Sequence, residues 1–150
     1  DNITFGKEKA KYEEIQNAAK NASIHNEITK LNNGYETVLG ERGITLSGGQ
    51  VQRVSLARAL IKDAKILLLD DCLSAVDTDT EEKILKNLKS YGKDRTTIMT
   101  SNRISSIRLS DHIIVFKKGK IIEQGNHNEL LENKSYYFKL FKKQKAEKNK

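Results

Sequence analysis

Apolar residues recur at helical spacing in several stretches of the chain and form continuous runs in others. The longest helical stretch carries its apolar residues on one face: Val51, Val54, Ala57, Leu60 and Ile61. Shorter stretches of the same kind predict amphipathic helices over residues 11–20, 24–31 and 81–88. Residues 66–69 are all apolar and lead into Asp70, which predicts a strand buried on both faces of a parallel sheet.

The second half of the chain continues with strand-like and helical patterns. Residues 97–100 and 113–116 favour strands, and a tight turn at 117–120 returns the chain in an edge hairpin. Asn126, followed by Glu129, is typical of a helix start. A cluster at helical spacing predicts the packing surface of a last helix: Tyr136, Tyr137, Phe138, Leu140 and Phe141.

A serine and two glycines stand where the longest helix is predicted to begin. The N-terminal end of a helix leaves backbone N–H groups unpaired and carries partial positive charge, which suits a phosphate. Ser47 is able to cap the helix or to donate a hydrogen bond to an anion, and Gly48 and Gly49 let the backbone approach an anion without a Cβ in the way. Alone, however, the segment favours an ordinary glycine turn that caps a surface helix.

Two further motifs change that interpretation. Asp70 and Asp71 follow the predicted strand, and the carboxyl ends of such strands are where α/β sheets bind ligands. Residues 74–77 form the next motif. The three motifs in this order closely resemble the nucleotide-binding domain of ATP-binding cassette (ABC) transporters. In that resemblance the signature motif is Leu46, Ser47, Gly48, Gly49 and Gln50, the Walker B strand is 66–70, and the D-loop is Ser74, Ala75, Val76 and Asp77.

The resemblance extends over the whole chain. Residues 1–6 resemble the segment after the family's Q-loop, and residues 7–45 resemble its helical subdomain. Residues 40–43 resemble the X-loop that ABC exporters place against their membrane domains. Residues 96–103 occupy the place of the switch strand, and 119–131 resemble the closing hairpin and C-terminal helix of exporters.

The resemblance implies one partial ABC ATPase domain, an α/β fold of the P-loop NTPase type with a helical subdomain. We expect the helical subdomain and signature helix in residues 1–62. The Walker B strand, D-loop, switch strand and hairpin follow in 63–125, and C-terminal helices and a basic tail in 126–150.

One part of the family pattern is missing from the sequence. The phosphate-cradling motif G-x-x-x-x-G-K-S/T does not occur in the 150 residues, nor does the aromatic residue that the family stacks on adenine. The N-terminal β part of the domain is missing with it. We therefore expect the chain to be the C-terminal piece of a longer polypeptide, and to bind nucleotide weakly and hydrolyse none by itself.

The resemblance also implies the roles of individual residues, with ATP and Mg²⁺ as cofactors. Asp70 would hold Mg²⁺ through water. Asp71 stands where the family usually has a glutamate that orients the attacking water, and Asn102 stands where it has a histidine that contacts the γ-phosphate. Aspartate is one methylene shorter, and a displacement of about 1 Å can cost about 100-fold in rate. Asparagine cannot carry charge or shuttle a proton. Two such departures indicate a degenerate catalytic site.

In this family two ATPase domains meet head to tail, and the signature of one closes over the ATP of the other. The expected partners are therefore a second ABC ATPase domain, in a heterodimer, and a transmembrane domain in the full-length chain. The intact signature would serve the partner's nucleotide, and Asp77 would reach across the interface. The resemblance places the domain at the cytoplasmic face of a cell membrane.

Composition adds little to these expectations. The formal net charge is +7, but residues 139–150 hold six Lys and one Glu, which leaves +2 for the rest of the chain. The excess is thus a tail, expected to be solvated and frayed, and no nucleic-acid partner is expected. The single cysteine, Cys72, excludes an internal disulfide and favours packing over reactivity. The three histidines, His25, His112 and His127, lie outside the switch and favour structural or exposed roles.

Two alternatives stay open from the sequence. One is an active homodimeric exporter in which Asp71 works slowly. The other is a soluble ABC-type protein that acts on DNA or ribosomes, against which residues 40–43 and the exporter-like hairpin and last helix weigh. The transported substrate would be chosen by the membrane domain, and the sequence does not specify it.

Overall fold

The computed structural model describes residues 2–5, 7, 9–40 and 45–148, with the side chain of Lys148 excluded. The predicted X-loop therefore lies outside the described residues except for Gly40, as do Asp1 and Gly6 of the first motif. The chain divides into two compact units, residues 1–99 and 100–150. We describe each unit by itself.

The first unit is mainly helical, with two strands that pair in a small sheet. Its helices are α1 (Tyr12–Asn21), α2 (His25–Ile28), α3 (Gly48–Leu60) and α4 (Thr78–Tyr91), with 3₁₀ turns at Gly34–Glu36 and Gly92–Asp94. Its strands are β1 (Ile66–Asp70) and β2 (Thr96–Thr100). The strands are joined through α4, the kind of connection that parallel strands require.

Local signals explain where these helices begin and end. The Asp77 carboxylate accepts the Thr80 N–H at 3.0 Å, so α4 begins one turn earlier than the apolar pattern predicts. Helix α2 has only four residues, far fewer than predicted, because the chain turns after Ile28 and the Thr29 hydroxyl donates to the Asn26 carbonyl. The prediction of a helix in each stretch is confirmed, and its length at 24–31 is wrong.

The core of the first unit lies on one face of β1. Leu67 and Leu69 are buried among residues of α1, α3 and α4. Ile66 and Leu68 point the other way and are 62% and 69% exposed. The prediction of a strand buried on both faces is therefore wrong for this chain, because the described helices of the unit cover only one face of β1.

The second unit is a hairpin surrounded by three helices. The hairpin strands are β3 (Ile113–Lys117) and β4 (Lys120–Gly125). The helices are α5 (Ile104–Ile107), α6 (His127–Glu132) and α7 (Tyr136–Lys148). The antiparallel register pairs Ile113 with Gly125 and Lys117 with Lys120, with an irregularity after Val115. Lys118 and Gly119 both have positive φ, 51° and 73°, as a two-residue hairpin turn requires, which confirms the predicted turn.

Side-chain contacts at helix ends hold the second unit together. Asn126 and Glu129 form the predicted capping box of α6. The Glu123 carboxylate accepts the N–H groups of Tyr136 and Tyr137 at 2.6 and 3.2 Å, which fixes the start of α7. Tyr137 is buried in the core, whereas Tyr136 is exposed, contrary to its predicted packing role.

The basic tail is helical through Lys148, so the expectation of fraying is wrong for residues 139–148, and residues 149–150 lie outside the described part of the chain. Leu140 and Phe141 pack against the core of the second unit. The Gln144 side chain accepts the Ile104 N–H at 2.9 Å and donates to the Asn102 carbonyl at 2.7 Å. These contacts stabilise the helix, and Lys142 and Lys143 lie on its solvated side.

Candidate functional site

The signature segment forms the N-terminal end of α3. The Ser47 hydroxyl accepts the Gln50 N–H at 3.3 Å, and the Gln50 side-chain oxygen accepts the Ser47 N–H at 2.8 Å. This reciprocal capping box leaves Ser47 and Gly48 exposed. The first turn of α3 therefore presents a hydroxyl and a positive dipole end to solvent, a combination that suits an anion.

A charged network behind the signature fixes Gln50. The Gln50 amide nitrogen donates to Glu27 Oε2 at 2.8 Å, so the amide has only one consistent orientation. Arg53 Nη2 donates to the same Oε2 at 3.1 Å, while Nη1 bonds Glu27 Oε1 and donates to the Ser23 carbonyl at 2.7 Å. Arg53 is only 8% exposed. An ion pair between buried Arg53 and partly exposed Glu27 thus ties the signature turn to α2.

Gly49 meets the D-loop directly. A Cβ built on Gly49 would lie 2.8 Å from the Ala75 carbonyl oxygen, closer than carbon and oxygen approach without strain. A Cβ on Gly48 would stand at an ordinary 3.6 Å from the Ala75 Cβ. The lack of a side chain at Gly49 is therefore required by packing on the D-loop, a reason that differs from the phosphate access expected from the sequence.

The two carboxylates lie at the C-terminal end of β1, as predicted. Asp70 is the last strand residue, and Asp71 follows with a positive φ of 43°. Aspartate tolerates this left-handed conformation better than most residues other than glycine. Both residues are exposed, so they are accessible to a ligand.

The residues at this strand end fit Mg²⁺ in one particular way. The described residues contain no group of three or more His, Cys, Asp or Glu that could hold a metal ion. Mg²⁺ is bound by one or two carboxylates, water and substrate phosphates in nucleotide sites, so a complete protein cage is not needed. Asp70 is exposed at this strand end, and its role as the Mg²⁺ ligand stays a prediction.

Asn102 belongs to the second unit, in the segment between β2 and α5. Its carbonyl accepts the bond from Gln144, and the neighbouring Arg103 N–H donates to Ser101 Oγ at 3.0 Å. The loop that carries Asn102 is thereby anchored to α7. No pattern in the sequence indicates this anchor, because Gln144 lies 42 residues away in a lysine-rich stretch.

Several other candidates have local roles. Asp77 caps α4, and the hydrogen bond from the Thr80 backbone lowers the pKa of its carboxyl. Burial raises the pKa of the Cys72 thiol to about 11, so the side chain is not a reactive thiolate. His25 bonds the Tyr35 hydroxyl and His127 the Tyr137 hydroxyl, each at 2.8 Å, while His112 is exposed. The expected structural or exposed roles of the histidines are confirmed.

Residues 2–74 match the family model described as ABC transporter. A solved structure entitled "Structure of a bacterial Atm1-family ABC exporter with ATP bound" superposes with a TM-score of 0.89 at 43% identity, over 95% of this chain and 25% of that one. The chain belongs to the ABC transporter family. The resemblance in the sequence and the predicted α/β ABC ATPase fold are both confirmed.

The chain is also similar to proteins whose names refer to multidrug resistance and to lipid A. The multidrug resistance-like ATP-binding protein MdlA of Buchnera aphidicola is 49% identical over 97% of this chain and 25% of its own length. The ATP-dependent lipid A-core flippase of Desulfotalea psychrophila is 47% identical over 95% of this chain and 25% of its own. The chain thus spans about a quarter of the length of these curated relatives. No helix within its described residues has the length and hydropathy to cross a membrane.

Proposed function

We propose that this chain is part of the ATPase domain of an ABC exporter that couples ATP binding and hydrolysis to transport of a substrate. The observation that carries the proposal is the exposed, capped signature turn, packed through Gly49 on the loop that follows Asp70 and Asp71. One rigid unit thereby presents both a phosphate-binding helix end and a metal-binding carboxylate.

The two halves of this unit serve different nucleotides in the proposal. Ser47 and the first-turn N–H groups of α3 bind the γ-phosphate of ATP held by a second ATPase domain. Asp70 holds Mg²⁺ on the nucleotide of its own polypeptide, where Asp71 replaces the usual glutamate. Asn102 stands at the sequence position of the usual histidine. We therefore assign the chain to the degenerate half of a heterodimer, with hydrolysis mainly at the other site.

A cleft in the first unit supports a membrane-domain partner. It has a volume of about 310 Å³, and much of its lining is apolar, including Tyr12, Ile28, Tyr35 and Val38. We propose that a cytoplasmic segment of the transmembrane domain occupies it, which places the ATPase domain at the cytoplasmic face of the membrane. An upstream sequence with six hydrophobic spans would fit an exporter. An upstream sequence without hydrophobic spans would fit a soluble ABC protein.

The substitution Ser47→Arg tests the proposal in the full-length protein that contains this chain. A bulky cation removes a donor to the γ-phosphate and blocks the helix end, so steady-state phosphate release should fall by about 100-fold or more. Ser55 is also exposed and lies on the same helix, and Ser55→Arg should leave turnover within about twofold as a matched control. Turnover of Ser47→Arg near that of the wild type would refute the assignment.

A further inference from the structure

One glutamine side chain joins the signature helix to the D-loop. Gln52 Nε2 donates to Ser74 Oγ at 2.9 Å, and Gln52 Oε1 accepts the Ala75 N–H at 2.8 Å. Both ends of the amide are engaged, which fixes its orientation. Gln52 lies outside the signature motif, and its side chain contacts neither candidate carboxylate in these hydrogen bonds.

Ser74 extends this contact to the end of β1. Its hydroxyl donates to the Asp71 carbonyl at 3.1 Å while it accepts from Gln52. A continuous series of hydrogen bonds therefore runs from α3 through Gln52 and Ser74 to the backbone of Asp71. Because the hydroxyl has only one proton, it cannot donate to Asp71 and to a second acceptor together.

The close contact at Gly49 makes this connection stiff. The Ala75 carbonyl abuts Gly49, while the Ala75 N–H is bound by Gln52, so α3 holds both sides of one D-loop residue. Packed groups at this separation do not deform continuously. A displacement of the D-loop must be followed by the N-terminal end of α3, or the two hydrogen bonds must break.

We propose that Gln52 is a positioning residue that couples the two nucleotide positions of the ATPase dimer. This rests on the proposed function, in which Asp70 and Asp71 face the chain's own nucleotide and Ser47 faces the partner's. Nucleotide binding at the chain's own position shifts Asp71, and the hydrogen bonds of Ser74 and Gln52 transmit this shift to the signature turn. Coupling between binding sites is reciprocal, so signature engagement also favours nucleotide binding at the chain's own position.

The test measures cooperativity in the full-length protein, because a Hill coefficient does not depend on the fraction of active molecules. Phosphate release is recorded against Mg-ATP concentration for the wild type, Gln52→Met, Ser74→Ala and the double variant. Methionine matches the length of glutamine without its two hydrogen bonds. We expect a Hill coefficient above 1 in the wild type and about 1 in each single variant, with no further fall in the double variant. Gln16→Met, on α1, is the matched control and should keep the wild-type value.

Each outcome decides the proposal. A Hill coefficient unchanged in either single variant, a wild type without cooperativity, or an equal fall in Gln16→Met would overturn it. If Gln52→Met folds poorly, Ser74→Ala still tests the coupling. Ser74 is exposed and its hydroxyl lies outside the core, so we expect Ser74→Ala to fold. Ser47→Arg separates the proposed function from the proposed coupling. Wild-type turnover in Ser47→Arg refutes the proposed function. If Ser47→Arg abolishes turnover while Gln52→Met keeps the wild-type Hill coefficient, the coupling alone is refuted.

Discussion

The ion pair between Glu27 and Arg53 offers the sharpest test of how the signature turn is held. The substitution Glu27→Gln keeps the size of the side chain and removes its charge. Arg53 is 8% exposed and would keep the carbonyls of Ser23 and Gly49 as acceptors at 2.7 and 3.2 Å, with one neutral amide oxygen in place of two charged carboxylate oxygens. The new amide would also direct N–H groups at the guanidinium or at Gln50.

The magnitude follows from the burial of the two partners. Breaking a fully buried pair costs about 3–5 kcal/mol. The Glu27 side chain is 40% exposed, so solvent screens part of the interaction, and we expect about 1–2 kcal/mol instead. Local opening of the signature turn should become about 5- to 30-fold more frequent.

Hydrogen exchange of the full-length protein, followed by mass spectrometry over residues 47–53, measures this opening. Glu13→Gln removes a charge of the same sign from an exposed position on α1 and should change exchange at 47–53 by less than about twofold. An equally small change in Glu27→Gln would show that the network does not hold the turn.

The same pair has a defined pH dependence. Burial raises the pKa of Glu27, but hydrogen bonds from Arg53 and Gln50 outweigh it and bring the pKa below its usual value of 4.5. The unfolded state therefore binds the proton more readily than the folded state. The contribution of the pair is present in full above pH 4.5 and is lost as the pH falls through the lower folded-state pKa.

Two further predictions concern the catalytic positions and the second unit. If this half only holds ATP, Asp71→Asn should change phosphate release by less than about twofold. Asp71→Glu together with Asn102→His should raise phosphate release. A large loss of phosphate release in Asp71→Asn would refute the degenerate assignment. Burial, with a smaller effect of Arg108, lowers the pKa of His127 below 6.5, so the unfolded state takes up the proton first. The second unit, in which Tyr137 bonds the His127 ring, should therefore lose stability as the pH falls below 6.5. Hydrogen exchange of the α6 and α7 amides should depend less on pH in His127→Gln than in the wild type.

The sequence predicted best what depends on neighbours along the chain. The Ser47 cap and the start of α6 at Asn126 are decided by residues three positions apart, and both are present. The strand ending at Asp70 and the turn after Lys117 are equally local. The motif order then sufficed to predict the family, which the comparisons confirm.

Long-range contacts could not be predicted in this way. Glu27 pairs with Arg53 across 26 residues, and Gln52 meets Ser74 across 22. Glutamine and glutamate on predicted helices are ordinary solvent-exposed residues in composition and spacing, and only the fold brings them together. The packing role of Gly49 is hidden for the same reason, because it depends on where the D-loop passes.

The exposed half of β1 determines how this chain can be handled. Ile66 and Leu68 form an apolar stripe, and the hairpin of the second unit presents another, with Ile114, Phe116 and Ile121 all largely exposed. Apolar strand surfaces of this kind attract one another at the concentrations used for expression and purification. We expect the polypeptide to self-associate through these surfaces when it is produced as these 150 residues alone, so its oligomeric state must be measured before weak nucleotide binding is attributed to the missing phosphate-binding motif.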